Sequence, residues 1–579
     1  MLDSVPVPLQ AILWPLAGAA TILVLGRVLP NWARRLLAVA VALASLAVLW
    51  SLRAGSAERV GLEWLPINLF RMGPRLYVDG LSLLVGMLLA GVTAALTLGI
   101  RGREPQKTRW HGLLLILLAG CLAALMAGNL LALALASALV DLALIATLLS
   151  LSYGAEPWRR LPFSTVVPGV ASTMILFVAA LQMDSQAGHA SLLSENLLEG
   201  PLVLVGVAGA LRALIFPLHP RSLGVPEGAA TLLLPVGVGG YLLVRVQTLA
   251  PVLSEQPWAM IVAAVALLAG GLLAWSSSAR SPGQKPGASD IWSGTLVQQT
   301  GSVLAFVLLL VGATPLPLVG ILLALSVLTV WWESGLAREG APKAGVAKWV
   351  AEQLQSWQMR ARAYVTAWIP WLGRWRYSWF ARHAAAFLPA IALASLMGAP
   401  FTVGARGRWP FYAVGLKRGD TALVVMVAAD TFLAAGLWIA GATIFRQARH
   451  RRIGAAALLA MLALTVLVVV LGIAPGILSD DLGLKTVRAS GVSVWGLGLV
   501  YVLPWLLGAW LGRMRRSLGR FLARVHAVVN LDWLYRAAGW AGARLAGAIR
   551  WLGVVGEGDG WWGWVLITLA LGVFLLVAR

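Results

Sequence analysis

One stretch decides the fold class: Gly209-Ala-Leu-Arg212-Ala-Leu-Ile-Phe-Pro217-Leu-His219-Pro220. It places a charged side chain inside an apolar run, and two prolines follow that charge. A proline within a helix removes a backbone hydrogen bond and frees a carbonyl that then needs another partner or water. At membrane depth such backbone is tolerated only where it is buried in protein or lines a wet cavity. The stretch therefore predicts an interrupted transmembrane helix inside a larger bundle.

The composition of the whole chain is typical of a membrane protein. Of its 579 residues, 60% are hydrophobic and only 12% are charged, whereas soluble proteins contain about 45–50% apolar and about 25% charged residues. Apolar runs recur from Pro8 to Ala578, and each is about 20 residues long, the length that crosses the hydrocarbon core of a bilayer. These runs predict an all-α polytopic membrane protein with about sixteen transmembrane helices, of which the seventh is broken.

The net charge of +22 can be explained by membrane topology. When the connecting segments are assigned alternately to the two sides, most of the 45 Lys and Arg residues fall on one side. Cytoplasmic loops of multi-pass proteins carry such an excess. The pattern therefore predicts a protein of the bacterial cytoplasmic membrane with both termini on the outer side, and the charge requires no nucleic-acid partner.

Two long polar segments interrupt the apolar runs. Four tryptophans recur at helical spacing between Trp368 and Trp379, and three arginines recur at every fourth position from Arg516. Such amphipathic helices lie flat, either against anionic lipids at the cytoplasmic face or against the protein's own surface. The chain accordingly divides into N-terminal transmembrane helices 1–3 (1–110), a core of helices 4–11 (111–336), a cytoplasmic Trp/Arg-rich interfacial segment (337–383), helices 12–15 (384–512), an amphipathic lateral segment (513–560) and a C-terminal transmembrane helix (561–579).

A few ionisable residues lie within or beside the predicted spans. A charge inside a bilayer is costly, so each such residue is a candidate for function. A switchable pair of Asp141 and Arg212 is one interpretation, and a static pair that locks two helices together is the other. The residues at membrane depth are Asp141, Arg212, Glu227 and Asp430, with Asp79 at the start of the third helix.

Several short motifs follow one another along most of the chain: Tyr77-Val-Asp79-Gly80-Leu-Ser82, Gly128-Asn129-Leu-Leu131, Phe216-Pro217-Leu-His219, Glu227-Gly228, Gly239-Gly-Tyr-Leu242, Gln299 to Gly301, Gly398-Ala-Pro400-Phe-Thr402-Val-Gly404 and Asn530-Leu-Asp532-Trp533-Leu-Tyr535-Arg536. In these residues the chain resembles the antiporter-like membrane subunits of respiratory complex I, Mrp-type cation/proton antiporters and membrane-bound hydrogenases. The resemblance implies proton or cation translocation, other membrane subunits as partners, and a second break at the end of a twelfth helix that we predict over residues 384–400.

The chain departs from this family at the positions of the family's proton relay. The family's fifth-helix glutamate position holds Ala138, with Asp141 one turn further on, and its seventh- and twelfth-helix lysine positions hold Arg212 and Arg408. The histidines of the eighth and eleventh helices have no counterpart. A lysine in a dry site titrates near neutrality, whereas a guanidinium, with a pKa above about 12, does not. Proton conduction would then depend on ordered water and the remaining titratable groups: Asp141, Asp430, Glu227 and His219.

Three functions remain open at this point. The first is an ion-conducting subunit, for example of an NADH:quinone oxidoreductase-type complex, and the second is a degenerate homologue that serves only assembly. The third is a membrane enzyme such as a lipid-linked transferase, for which Glu58, Glu63 and the 6 scattered histidines give little support. We expect no catalytic centre, no metal and no cofactor in this chain. The sequence does not distinguish proton from sodium.

Overall fold

A computed structural model describes residues 6–26, 28–52, 59–61, 74–100, 109–151, 163–187, 199–214, 226–249, 257–276, 315–335, 377–418, 421–448, 453–476, 494–514 and 517–529, together with residues 533, 537, 540, 541, 544 and 547. The chain forms two compact units, Met1–Leu522 and Ala523–Arg579. In the second unit the structure describes residues 523–529, which end one helix, and the six positions from 533 to 547 given above. Within this unit the Arg544 guanidinium lies 5.1 Å from the centre of the Trp540 ring.

The described residues form sixteen helices and one short antiparallel hairpin. The helices are α1 (Val7–Leu25), α2 (Asn31–Ser51), α3 (Gly80–Gly99), α4 (Trp110–Leu125), α5 (Leu130–Leu151), α6 (Phe163–Ala187), α7 (Glu199–Arg212), α8 (Pro226–Leu249), α9 (Pro257–Ser276), α10 (Leu316–Gly335), α11 (Tyr377–Leu396), α12 (Val403–Arg418), α13 (Thr421–Ala448), α14 (Ala455–Ile473), α15 (Val494–Arg513) and α16 (Gly519–Val529). Strand β1 (Arg59–Gly61) pairs with strand β2 (Arg75–Tyr77).

The helices confirm an all-α, multi-pass membrane protein. Within the described residues, 10 helices are long and apolar enough to cross a membrane, and three further apolar helices are shorter. Residues 277–314 of the predicted core and the whole predicted C-terminal helix (561–579) lie outside the described residues, as do residues 337–376 of the predicted interfacial segment. The total of about sixteen spans therefore stays a prediction.

Helices α3 and α8 lie at the centre of the first unit. In each, 89% of the membrane-spanning window is buried, against 28% in α15. Peripheral helices turn large apolar side chains outward, as Leu506 of α15 does. Helices that are apolar on every side are typical of a bundle surrounded by lipid.

Both predicted interruptions coincide with helix ends. Helix α7 ends at Arg212, and Leu214 has a positive φ of 55°. Helix α11 ends at Leu396, where Gly398 (φ 80°) and Phe401 (φ 63°) turn the chain. The prolines at 217 and 220 lie outside the described residues.

The chain continues as a helix beyond the predicted twelfth span, which is a correction. Residues 403–418 form α12, although their three arginines made them look like a polar connection. Two of these arginines, Arg406 and Arg408, find partners inside the protein. Arg406 Nε donates to the backbone oxygen of Gly472 at 2.8 Å, and Arg408 forms an ion pair with Asp430 of α13. A polar helix is therefore accommodated as the second half of a broken helix.

Candidate functional site

A buried ion pair joins Asp141 in the middle of α5 to Arg212 at the end of α7. Arg212 Nη1 lies 3.0 Å from Asp141 Oδ1, and Arg212 Nη2 lies 3.2 Å from Asp141 Oδ2. The two side chains are only 1% and 8% exposed. The Nη2–Oδ2 contact is a charge-assisted hydrogen bond, and the Nη1–Oδ1 contact is an ion pair without hydrogen-bond geometry.

Helix α6 completes this first cluster. The Thr173 hydroxyl donates to Asp141 Oδ2 at 2.5 Å and accepts from Arg212 Nη2 at 2.7 Å. Arg212 Nη2 also lies 3.3 Å from the backbone oxygen of Gly169. A Cβ on Gly169 would lie 2.9 Å from Asp141 Oδ1, so glycine is required there for the carboxylate to fit. Three helices therefore hold one charge pair.

Some polar atoms of the cluster have no hydrogen-bond partner among the described residues. They are the hydroxyl of Ser137, one turn before Asp141 on α5, Nε and Nη1 of Arg212, and Oδ1 of Asp141. Buried polar atoms are normally satisfied by protein or by ordered water. The cluster therefore retains hydrogen-bonding capacity beyond its ion pair.

Glycines bring α8 against the end of α7. A Cβ on Gly239 would lie 2.3 Å from the backbone nitrogen of Ala213, and one on Gly209 would lie 3.0 Å from Cβ of Leu242. The missing side chains allow the two backbones to touch beside Arg212. A cation in the last turn of a helix is also favoured by the helix dipole.

A second buried pair joins Arg408 of α12 to Asp430 of α13. Arg408 Nη1 lies 3.1 Å from Asp430 Oδ2, with side-chain exposures of 8% and 2%. The Tyr412 hydroxyl, one turn along α12, donates to the same carboxylate oxygen at 2.6 Å. The Tyr501 ring of α15 lies edge-on to Tyr412, with ring centres 5.9 Å apart. As in the first pair, an uncharged hydroxyl supports the carboxylate.

The break between α11 and α12 packs directly against this second pair. A Cβ on Gly398 would lie 2.9 Å from both Arg408 Cδ and the Tyr501 hydroxyl, and its φ of +80° also favours glycine. A small cavity of about 30 Å³ is lined by Ser395, Gly404 and Arg408 among others. That volume is sufficient for a water molecule beside the guanidinium.

A third pair links Arg245 of α8 to Asp79, the residue that caps α3. Asp79 Oδ1 accepts from the backbone nitrogen of Ser82 at 2.9 Å, which completes a capping box. Arg245 is not among the candidate residues that the sequence predicted. Its position inside the apolar run of α8, four residues before the end of that helix, was the available signal.

The predicted candidates are thus partly brought together. Asp141 contacts Arg212, and Arg408 contacts Asp430, although the sequence gave no indication of the latter contact. Glu227 lies in the first turn of α8, but its side chain is outside the described part of the structure, and His219 is outside it altogether. The ion-translocating role of these residues stays a prediction. Within the described ranges, no three His, Cys, Asp or Glu side chains cluster as a metal site.

The two pairs are separated by an apolar helix contact. Helices α7, α8, α10 and α12 pack in that order. Gly240 of α8 would place a Cβ 2.4 Å from Leu318 of α10, and Gly237 would place one 3.3 Å from Leu322. The hydroxyls of Ser326 and Thr329 of α10 bond to carbonyls of their own helix. Among the described side chains of these two helices, Tyr241 and Arg245 of α8 are ionisable, and they bond to the backbone oxygen of Leu125 and to Asp79 rather than to either pair.

Comparison with solved structures identifies the fold. The chain matches one from the Mrp complex of Dietzia sp. DQ12-45-1b, with a TM-score of 0.69 and 18% identity over 99% of this chain and 63% of that chain. It matches a chain of respiratory complex I from Thermus thermophilus with bound aureothin, with a TM-score of 0.57 and 17% identity over 81% of this chain and 98% of that one. It also matches a chain of the membrane-bound sulfane sulfur reductase, an archaeal respiratory membrane complex, with a TM-score of 0.64 and 16% identity over 98% and 99%.

The fold is therefore that of antiporter-like membrane subunits, as the sequence motifs predicted. The chain spans 63% of the length of the Mrp chain. No protein-family model and no curated protein sequence matches it. At identities of 16% to 18% the likeness shows the fold, and function must be argued from the residues of the site.

Proposed function

We propose that this chain is a membrane subunit of a complex I-like or Mrp-like assembly and takes part in proton or cation translocation. The solved structures that share its fold are chains of multi-subunit membrane complexes. The observation that carries the proposal is the cluster of Asp141, Arg212 and Thr173, a charge pair held by three helices at the end of an interrupted one. Ionisable side chains within a membrane bundle are energetically costly, and they mark candidate functional sites for that reason.

The pair can act as a charge switch. Removing one member of a buried ion pair costs about 3–5 kcal/mol because the other charge is left uncompensated. If Arg212 moves away from Asp141, the isolated carboxyl group takes up a proton, and the return of the guanidinium expels it. The guanidinium keeps its proton throughout, so the carboxylate is the proton carrier. Movement in partner subunits supplies the energy for the displacement.

The second pair offers the same chemistry in the other half of the chain. Asp430 has the hydroxyl of Tyr412 as a hydrogen-bond donor, and a water-sized cavity adjoins Arg408. The proposed ion-translocating residues are the members of the two pairs, together with Glu227 and His219: Asp141, Arg212, Arg408, Asp430, Glu227 and His219. Because helices α8 and α10 lie between the pairs, each pair works with its own access to the membrane surfaces.

A non-conducting assembly subunit is the second candidate. The apolar contact between Gly240 of α8 and Leu318 of α10 favours it, as do the arginines at positions 212 and 408, which cannot pass on a proton. In that case the pairs are static and only lock the helices together.

Proton flux through the reconstituted assembly separates the two candidates. The assembly is purified in mild detergent, its subunits are identified by mass spectrometry, and it is placed in proteoliposomes. We expect Asp141→Asn to abolish flux because it removes the proton carrier. The control Glu199→Gln changes an exposed acid at the start of α7 and should leave flux unchanged. Unaltered flux in Asp141→Asn would eliminate the switch, and absence of flux in the unmodified assembly would favour the non-conducting subunit.

The orientation in the membrane is part of the proposal. The distribution of Lys and Arg favours a bacterial cytoplasmic membrane with both termini outside. The segments 337–383 and 513–560 would then lie along the cytoplasmic face, against anionic lipids or partner subunits.

A further inference from the structure

The third charge pair, formed by Arg245 and Asp79, differs from the other two pairs in its exposure. Its side chains are 11% and 23% exposed, respectively, whereas those of the first two pairs are at most 8% exposed. Asp79 directly precedes the first residue of α3. The third pair therefore lies at a helix end and is partly accessible, while the first pair lies inside the bundle.

Three helix ends meet strand β2 at one face of the first unit, which we name the hairpin face. The backbone nitrogen of Tyr77 in β2 donates to the backbone oxygen of Met126, directly after α4, at 2.7 Å. The backbone nitrogen of Arg75 lies 3.3 Å from the side-chain oxygen of Asn129, directly before α5. Asp79 begins α3 two residues after β2. Because apolar spans end where the membrane meets water, the third pair lies at a membrane surface.

The first pair lies well below the hairpin face. Asp141 is twelve residues beyond Asn129, which corresponds to about 18 Å along α5 at 1.5 Å per residue. On α8, Gly239 packs against the backbone of Ala213 at the end of α7. Arg245 is six residues further along α8, or about 9 Å closer to the face. A proton that moves between Asp141 and this face must cross that distance.

Residues of α4 and α8 form a buried connection between the first and third pairs. The charges of Asp141 and Arg212 both act on the thiol of Cys121 on α4, so the thiol lies close to the first pair. Leu125 is one turn further along α4. Its backbone oxygen accepts a hydrogen bond from the hydroxyl of Tyr241 on α8 at 3.0 Å.

The connection continues from Tyr241 to the third pair. Tyr241 precedes Arg245 by one turn of α8 and shares its face. The charges of Arg245 and Asp79 both act on the Tyr241 hydroxyl, so these groups are close. The first and third pairs are thus joined by a column of contacting residues: Cys121, Leu125, Tyr241 and Arg245.

Both ends of this column have capacity for ordered water. Nε of Arg245 and Nε of Arg212 are buried and have no hydrogen-bond partner among the described residues. Buried polar atoms are normally satisfied by protein or by ordered water. Water at these nitrogens would provide carriers along which a proton can move.

The charge of Arg245 has to be compensated if protons pass beside it. A guanidinium keeps its own proton and repels a second positive charge. Asp79 supplies the compensation, because one carboxylate oxygen contacts Arg245 while the other accepts from the backbone nitrogen of Ser82. The same carboxylate therefore caps α3 and neutralises Arg245.

We propose that Asp79 and Arg245 form the outlet through which the first pair exchanges protons with water at the hairpin face. The proton passes along ordered water between the carboxyl group of Asp141 and the bulk phase, and Arg245 neither gains nor loses one. Asp79 keeps the outlet electrically neutral. This inference rests on the proposed function, because it names the path that serves the same switch.

Proton flux in proteoliposomes that contain the assembly tests the outlet through two single charge changes. Asparagine caps a helix about as well as aspartate, so Asp79→Asn preserves the start of α3 and leaves Arg245 uncompensated. We expect flux to fall about tenfold because the bare guanidinium repels protons at the outlet. Arg245→Gln leaves the carboxylate, which attracts protons, so flux should equal or exceed that of the unmodified assembly.

Two further variants separate charge from structure. Ser82→Ala removes the hydroxyl that accepts from the backbone nitrogen of Asp79 at 2.9 Å but leaves both charges, so flux should not change. In Asp79→Asn/Arg245→Gln the outlet is neutral again, and flux should return to the unmodified level.

The results distinguish failure of the outlet from failure of the switch. Equal losses of flux in Asp79→Asn and Arg245→Gln would show that the pair only braces α3 against α8, and would overturn the outlet. Unmodified flux in Asp79→Asn, together with lost flux in Asp141→Asn, would also overturn the outlet and leave the switch intact. Unaltered flux in Asp141→Asn would overturn the switch and, with it, the outlet.

Discussion

Single side chains determine whether charge is tolerated inside this bundle. Asp141 and Arg212 contact each other at two points and share the Thr173 hydroxyl. Because each charge compensates the other, the loss of either one should be far more damaging than the loss of both.

A double-mutant cycle on this pair measures that coupling. We expect Arg212→Gln to lower the free energy of unfolding by about 3–5 kcal/mol, because Asp141 is left buried without its counter-charge. Combining it with Asp141→Asn should recover a large part of the loss, which gives a coupling energy of about 1–3 kcal/mol. Chemical or thermal unfolding of the chain in detergent provides the values. Additive effects of the two substitutions would mean that the pair contributes no mutual stabilisation.

The sequence indicated the charged residues of the two pairs, but it gave no signal for the hydroxyl groups that bond to their carboxylates. Asp141 and Arg212 stand out because ionisable residues are rare at membrane depth. The contact between Arg408 and Asp430 could not be predicted, because residues 401–419 look like a connection between spans. Thr173 and Tyr412 carry no charge, and hydroxyl residues in apolar helices mostly bond to their own backbone, as Thr147 does to Ala143.

Helix breaks position the arginines of both pairs. Arg212 is the last residue of α7. Arg408 follows the turn at Gly398, and the absence of a side chain on Gly398 leaves space for Arg408 and Tyr501. The turn therefore controls the geometry of the second pair.

Gly398→Ala tests this control. A residue with a Cβ pays about 1–2 kcal/mol for a left-handed conformation, and the added carbon would also displace Arg408 Cδ, which is 2.9 Å away. We expect a lower unfolding temperature and reduced proton flux. Gly498→Ala is the matched control, since a Cβ there meets nothing within 4 Å. If both variants behave like the unmodified protein, the turn does not constrain the second pair.

The elements themselves were partly predictable. The resemblance of residues 398–404 to the family's motif implied an interruption, and the structure has a turn at that point. Helix α12 was missed because its arginines and Trp409 are typical of an interfacial connection. Only packing against α13 and α14 provides the partners that allow such a helix inside the bundle.

For the whole molecule, composition was a sufficient guide to the class of protein. With 60% hydrophobic and 12% charged residues the chain departs from the composition of soluble proteins in the direction expected of a membrane protein, and the ordered motifs predicted the antiporter-like fold. The packing order of α7, α8, α10 and α12 could not be predicted. These helices are apolar on nearly every side, so periodicity does not indicate which face meets which neighbour.

The proposed function requires that the pair of Asp141 and Arg212 switches during ion translocation. Infrared difference spectroscopy of the energised, reconstituted assembly tests it most directly, because a protonated buried carboxyl group has its own carbonyl stretch. We expect this band to appear on energisation in the unmodified assembly, to disappear in Asp141→Asn and to persist in the surface variant Glu199→Gln. An assembly that conducts protons while showing no such band, or showing the same band in Asp141→Asn, would contradict the claim.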